Sequence, residues 1–202
     1  MATTPVEKQG NPVRRPRGRP RDPRVEGAVL GATRELLLER GYGGLTIAAV
    51  ADAAGVGKGT IYLRWPDKES LVVGALAELW EPIADPDTGS LRDDLLAIMG
   101  RAIRDMNGRP GALLREVIAE VPRSKPLEAY WRTDIIGPWI ALVNGCFARA
   151  IARGDMRADV DIEAARQVLL SPLFAVGVVF SRKTTMRQVT AWVDVVMAGI
   201  SA

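Results

Sequence analysis

Residues 45–71 read Leu45-Thr46-Ile47-Ala48-Ala49-Val50-Ala51-Asp52-Ala53-Ala54-Gly55-Val56-Gly57-Lys58-Gly59-Thr60-Ile61-Tyr62-Leu63-Arg64-Trp65-Pro66-Asp67-Lys68-Glu69-Ser70-Leu71. The spacing predicts two short helices joined by a turn at Gly55-Val56-Gly57, the first capped by Thr46 and the second closed by Pro66. The second helix has only Ile61 and Trp65, four residues apart, to turn inward. Its remaining surface is Lys58, Gly59, Thr60, Tyr62 and Arg64, a polar face of the kind a helix presents to a partner. A helix-turn-helix placing that face in the major groove of DNA accounts for the pattern.

Working outward, helical spacing continues on both sides. Val25, Ala28, Val29, Ala32 and Leu36 mark a helix over about 24–40, stopped by Gly41. Asp67 caps a fourth helix running to about Trp80. Residues 81–90, Glu-Pro-Ile-Ala-Asp-Pro-Asp-Thr-Gly-Ser, read as a linker and a domain boundary. Ser90 then caps a helix carrying Leu91, Leu95, Ile98, Ala102 and Met106. A shorter helix over 111–121 is stopped by Pro122, and a long one over 126–153 contains Pro138, where a kink is expected. Two apolar helices follow, marked by Ile162, Ala165, Leu169, Leu173 and Val176, and by Met186, Val189, Val193, Val196, Met197 and Ile200. No strand pattern competes, so the expected fold is all-α: a three-helix helix-turn-helix domain with its connecting helix over 24–80, then a helical domain over 90–202.

Composition narrows the chemistry. The 202 residues include no histidine and a single cysteine, Cys146. Histidine-dependent catalytic triads, histidine zinc sites and internal disulfides are thereby excluded, which fits a reducing, cytoplasmic setting. Asp93, Asp94, Glu116 and Glu120 fall at helical-surface spacing and are expected on a solvated face, leaving no catalytic constellation, no metal site and no cofactor. The N-terminus lacks the apolar core of a secretory signal, and the run from Val168 to Phe180, interrupted by Ser171-Pro172, reads as too short to span a bilayer, so no membrane partner is expected.

The net charge of +3 is unevenly spread. Lys8, Arg14, Arg15, Arg17, Arg19, Arg21 and Arg24 stand against Glu7 and Asp22, a surplus of +5 in the first 24 residues, so the rest of the chain is net negative. Residues 1–23 carry almost no apolar side chains and are expected to be a disordered basic arm. Within them Pro16-Arg17-Gly18-Arg19-Pro20 resembles an AT-hook core, in which Arg17 and Arg19 enter a narrow A·T-rich minor groove. The alternative is an arm that only adds charge along the phosphates.

The stretch Leu45-Thr46 … Ala51-Asp52-Ala53-Ala54-Gly55-Val56-Gly57-Lys58-Gly59-Thr60-Ile61-Tyr62 … Trp65-Pro66-Asp67-Lys68-Glu69-Ser70-Leu71 is similar to the signature of TetR-family (tetracycline-repressor-like) transcriptional regulators, over about Val25 to Leu79. The resemblance implies DNA contacts from Thr46, Lys58, Gly59, Thr60, Tyr62 and Lys68. Three positions depart from the pattern: Gly57 replaces a Ser or Thr cap, Arg64 replaces His and keeps a phosphate donor, and Trp65 replaces Phe. Ala150 to Asp161 resembles a helix-loop-helix joint of one subgroup and implies a dimerisation and effector-binding domain.

On that basis a small, largely apolar effector is expected between the helices after the linker. Its candidate lining is Trp80, Met99, Ile103, Met106, Trp131, Ile135, Trp139 and Phe147, with plain core packing as the alternative. The last two helices are expected to pair with a second copy through Leu169, Leu173, Val176, Phe180, Trp192, Val193 and Val196, the alternative being an intramolecular core. The expected function is a homodimeric repressor of a palindromic double-stranded DNA operator, released by its effector. An architectural or effector-independent DNA-binding protein is the rival.

Overall fold

The computed structural model describes residues 23–201, and these form ten α-helices without a strand. In chain order they are α1 (Pro23–Gly44), α2 (Ile47–Ala54), α3 (Lys58–Tyr62), α4 (Lys68–Ala77), α5 (Leu91–Asn107), α6 (Arg109–Val117), α7 (Lys125–Tyr130), α8 (Gly137–Arg153), α9 (Ile162–Phe174) and α10 (Met186–Ile200). Arg17 and Arg19 of the basic arm lie outside the described residues.

Local chemistry sets the boundaries. Gly41 adopts φ 67° and ψ 175°, a break inside α1 that an L side chain would resist. Thr46 accepts the Ala49 N–H at 3.1 Å to start α2. Gly55, left-handed at φ 66°, ends α2 by returning its N–H to the Ala51 and Asp52 carbonyls. Asp67 and Ser70 form a reciprocal capping box at α4, and Ser90 caps α5. α4 ends at Ala77, three residues before the expected Trp80.

Pro122 and Pro172 act differently from expectation. Pro122 does not stop α6; it lies within a 3₁₀ turn over Ile118–Arg123 that the extended Ser124 closes. Ahead of Pro138 the helix widens into a π turn over Trp131–Ile136, which absorbs the hydrogen bond that proline cannot donate. Pro172 is likewise tolerated, because α9 passes into a second π turn over Ala175–Val179. Helix is therefore continuous over Ile162–Val179 and over Lys125–Arg153, and both stretches are long and apolar enough to cross a membrane by length and composition. The sequence-based length argument against a span is thus corrected; inward faces of both stretches, including Val143, Phe147 and Leu169, are built into the cores.

Two apolar cores form. The first joins Leu37, Leu45, Val50, Ile61, Trp65, Leu71 and Val72 from α1–α4 to Leu113, Val117, Leu127, Tyr130 and Ile135 from beyond the linker. The second gathers Leu95, Ile98, Met99, Val143, Cys146, Phe147, Leu169, Val189 and Val193 from α5, α8, α9 and α10. The linker is pinned, not loose: Arg149 donates to both carboxylate oxygens of Asp85, at 2.9 and 3.1 Å, and to the Pro86 carbonyl at 2.6 Å. Asp94 is wholly buried and accepts from the N–H and hydroxyl of Thr88 at 2.9 and 2.7 Å. The solvated position expected for it is corrected: the linker folds back over it.

Candidate nucleic-acid interface and effector cavity

α2, the Gly55 turn and α3 form the helix-turn-helix. Ile61 is fully buried and Trp65 nearly so, and both belong to the first core with residues of α1, α2 and α4. The opposite side carries Lys58, Gly59 and Thr60, all exposed, with Tyr62 51 % exposed. No side chain caps α3 at Gly57, so the N–H groups of Lys58 and Gly59 face no capping side chain, while the Thr60 N–H donates to the Gly57 carbonyl at 2.9 Å. A Cβ on Gly59 would meet nothing within 4 Å, so any clearance this glycine gives is toward an outside partner.

Thr46 is exposed at the start of α2 with its hydroxyl engaged as a cap. Lys68, in the first turn of α4, holds its ammonium 4.0 Å above the Tyr42 ring. That ring is itself placed by a 3.3 Å hydrogen bond from its hydroxyl to Glu69. Burial, then the Glu69 charge, pushes the Tyr42 hydroxyl up to about 12. The Asp67 carboxyl is held below its ordinary value by the Ser70 N–H and hydroxyl, which keeps the α4 cap ionised.

Arg64 departs from expectation. Its guanidinium is ion-paired at 2.8 Å with Glu26 of α1 and is largely covered, so it clasps the exit of α3 to α1 and does not join the outward set. Leu63 takes that place, 87 % exposed beside Tyr62. Its outward position was readable from the inward period of Ile61 and Trp65.

A cavity of about 60 Å³ is lined by Trp80, Ala102, Asp105, Met106, Trp131, Ile135, Ile136, Trp139, Leu170, Leu173 and Phe174. Five expected residues, Trp80, Met106, Trp131, Ile135 and Trp139, meet there. Met99, Ile103 and Phe147 do not; they are closed into the second core, because their turns of α5 and α8 face its centre. Phe174, edge-on to Trp131 at 5.7 Å between ring centres, was missed, since nothing local links α9 to the π turn.

For the paired-helix face, Leu169, Leu173, Val193 and Val196 point into the second core, which corrects their placement at an outer surface. Phe180 is 64 % exposed, and Val176 and Trp192 are partly covered. Val168, Val179 and Val195 extend the same outward apolar character. Among the described residues no cluster of Asp, Glu and Cys has the arrangement of a metal site.

Sequence and structure comparisons agree with this architecture. Residues 29–75 match the family model for bacterial regulatory proteins of the tetR family, and residues 85–196 match a tetracyclin repressor-like C-terminal domain. An HTH-type transcriptional regulator of Mycobacterium bovis is 33 % identical over 87 % of this chain and 89 % of its own. The DNA-binding transcriptional repressor TetR of Mycobacteroides abscessus is 31 % identical over 70 % of this chain and 75 % of its own. Among solved structures, the TetR family transcription regulator SCO0332 superposes with a TM-score of 0.62 at 30 % identity, covering 87 % of this chain and 97 % of that one. FadR from Bacillus subtilis in complex with stearoyl-CoA shares the fold, with a TM-score of 0.65 at 19 % identity over 86 % and 98 % of the two chains.

Proposed function

Because the chain belongs to the TetR family of bacterial transcriptional regulators and is not an enzyme, we propose that it is a cytoplasmic, homodimeric repressor that reads a palindromic operator and is released by a small effector. The observation that carries this is the division of α3: Ile61 and Trp65 buried, Lys58, Gly59, Thr60, Tyr62 and Leu63 outward on an uncapped helix start. The Lys58 ammonium and the N–H groups of Lys58 and Gly59 supply phosphate contacts that fix register. Thr60 and Leu63 supply a hydroxyl and an apolar edge for bases, the latter suited to a thymine methyl. Thr46, Tyr62 and Lys68 flank them, and the arm with Arg17 and Arg19 adds charge or a minor-groove contact.

Two copies joined through Val168, Val176, Val179, Phe180, Trp192 and Val195 would present two α3 helices. Entry into successive major grooves needs them about 34–36 Å apart. An effector that prefers a different spacing releases DNA by its differential affinity. The route runs through packed contacts: Trp80 just beyond α4 lines the cavity, Arg34 of α1 holds Glu78 and the Ala75 carbonyl at 3.1 Å, and Arg109 of α6 holds Glu35 of α1 at 2.6 Å. Arg115 of α6 also reaches the Gly177 carbonyl at 3.2 Å, next to the paired-helix face.

Selection of bound DNA from a random library tests the reading. A short palindrome is expected, and substitution of Lys58, Thr60 and Tyr62 to alanine should abolish its retention. Uniform capture of A·T-rich DNA, or retention by the triple variant, overturns it.

A further inference from the structure

Taking the cavity lined by Trp80, Trp131 and Trp139 as the effector site, we propose that the effector is an organic cation, with an ammonium head among neighbouring carboxylates and an apolar body directed inward. That cavity adjoins a second one of about 190 Å³, and the two share Trp80, Asp105, Ile135 and Trp139 as a common wall. Three of the chain's five tryptophans, Trp80, Trp131 and Trp139, line this pair of cavities. Indole faces are the strongest aromatic partners for a cation, particularly one that sheds little hydration on entering.

Charge completes the match. Every ionisable group lining the two cavities is a carboxylate: Glu81, Asp105 and Asp134. Guanidiniums stand close by without lining either cavity: Arg101 and Arg104 share a neighbouring groove with Glu81 and Asp105, and Arg115 is turned to the backbone carbonyls of Met106 and Gly177, at 3.4 and 3.2 Å. Arg101 grips Asp105 at 3.0 Å and reaches Glu81 at 3.6 Å, so it orients the acids and neutralises one of three negative charges. A carboxylate or phosphate ligand would meet that field with no cationic side chain in the lining of either cavity to receive it. An ammonium head in the larger cavity has Asp134 and Glu81 together with Trp80 and Trp139 in its lining. An alkyl or aryl body then follows toward Met106 and Phe174, where the lining is apolar and adaptable.

The test titrates the full chain with decyltrimethylammonium, decanol and decyl sulfate below their aggregation concentrations, read by calorimetry and by tryptophan fluorescence. The ammonium is expected to bind about tenfold more tightly than decanol, and the sulfate more weakly than decanol. In the double variant Glu81→Gln/Asp134→Asn, both surface-exposed positions, the preference for ammonium over decanol should vanish while decanol binding persists. Equal or tighter binding of decyl sulfate, or an ammonium preference that survives the double variant, overturns the cationic effector. Decanol binding that is lost in Ala102→Trp keeps the cavity as a ligand site whatever the charge result. Failure of all three probes to bind overturns both.

Discussion

The indole nitrogen of Trp65 lies 2.6 Å from the point a Cβ on Gly74 would occupy. The larger ring that stands here where the family pattern has Phe is thus accommodated by a glycine one helix later, and the two positions are coupled. Gly74→Ala should destabilise the protein by about 1–3 kcal/mol from overpacking, less about 1 kcal/mol from better helix propensity. Trp65→Phe combined with Gly74→Ala should cost less than the two single changes added together. Urea unfolding of the four proteins gives the coupling; strict additivity would refute it.

Outward and inward residues of α3 should separate in DNA binding. Lys58→Ala is expected to weaken all sequences alike and to reduce the salt slope by about one unit. Leu63→Ser should alter base preference while leaving stability within about 0.5 kcal/mol. Arg64→Ala, which strips the ion pair to Glu26, should instead show its main effect on unfolding. Fluorescence anisotropy across a salt series, beside denaturation curves, distinguishes the three.

The two sides of α9 and α10 give opposite expectations. Val195 is 68 % exposed and Leu169 is fully buried. Val195→Glu should lower the assembly state in sedimentation without unfolding the protomer. Leu169→Ala should cost about 2–5 kcal/mol of stability with the assembly contacts intact.

These last helices also show what the sequence could and could not convey. Thr46, Gly55, Asp67 and Ser90 were legible because a cap is satisfied within three or four residues of itself. Periodicity likewise grouped Leu169 with Leu173 and Val193 with Val196. It cannot say which of two apolar faces meets the protomer's own core, and here the more continuous faces turned inward. Asp94 and Arg64 were misplaced for a related reason: their partners, Thr88 on a returning linker and Glu26 on α1, are set by tertiary packing. The cavity was half legible, since Trp80, Met106, Trp131 and Trp139 stood out as bulky or adaptable residues of neighbouring helices, whereas Phe174 arrives from α9.

Alkaline pH should unfasten Tyr42. Its hydroxyl is raised from 10.0 to about 12 in the folded chain, so the protonated form is favoured by folding. The associated stability is complete below pH 10.0 and is lost as pH rises toward about 12. Tyr42→Phe should flatten that part of the stability profile relative to the parent, measured by denaturant midpoints across the range. An unchanged profile in the variant would assign the loss to other groups.

Leu113, Val117, Leu127 and Tyr130 complete the hydrophobic interior beneath the helix-turn-helix, although they belong to the segment that follows the linker. Cutting the gene at that linker would therefore strip part of the floor from beneath the helix-turn-helix. A chimera that swaps heads between related regulators has to carry α6 and α7 along with the graft, or redesign the seam between them. The same seam means that evolution cannot retune α6 and α7 without also disturbing the helix-turn-helix that rests on them.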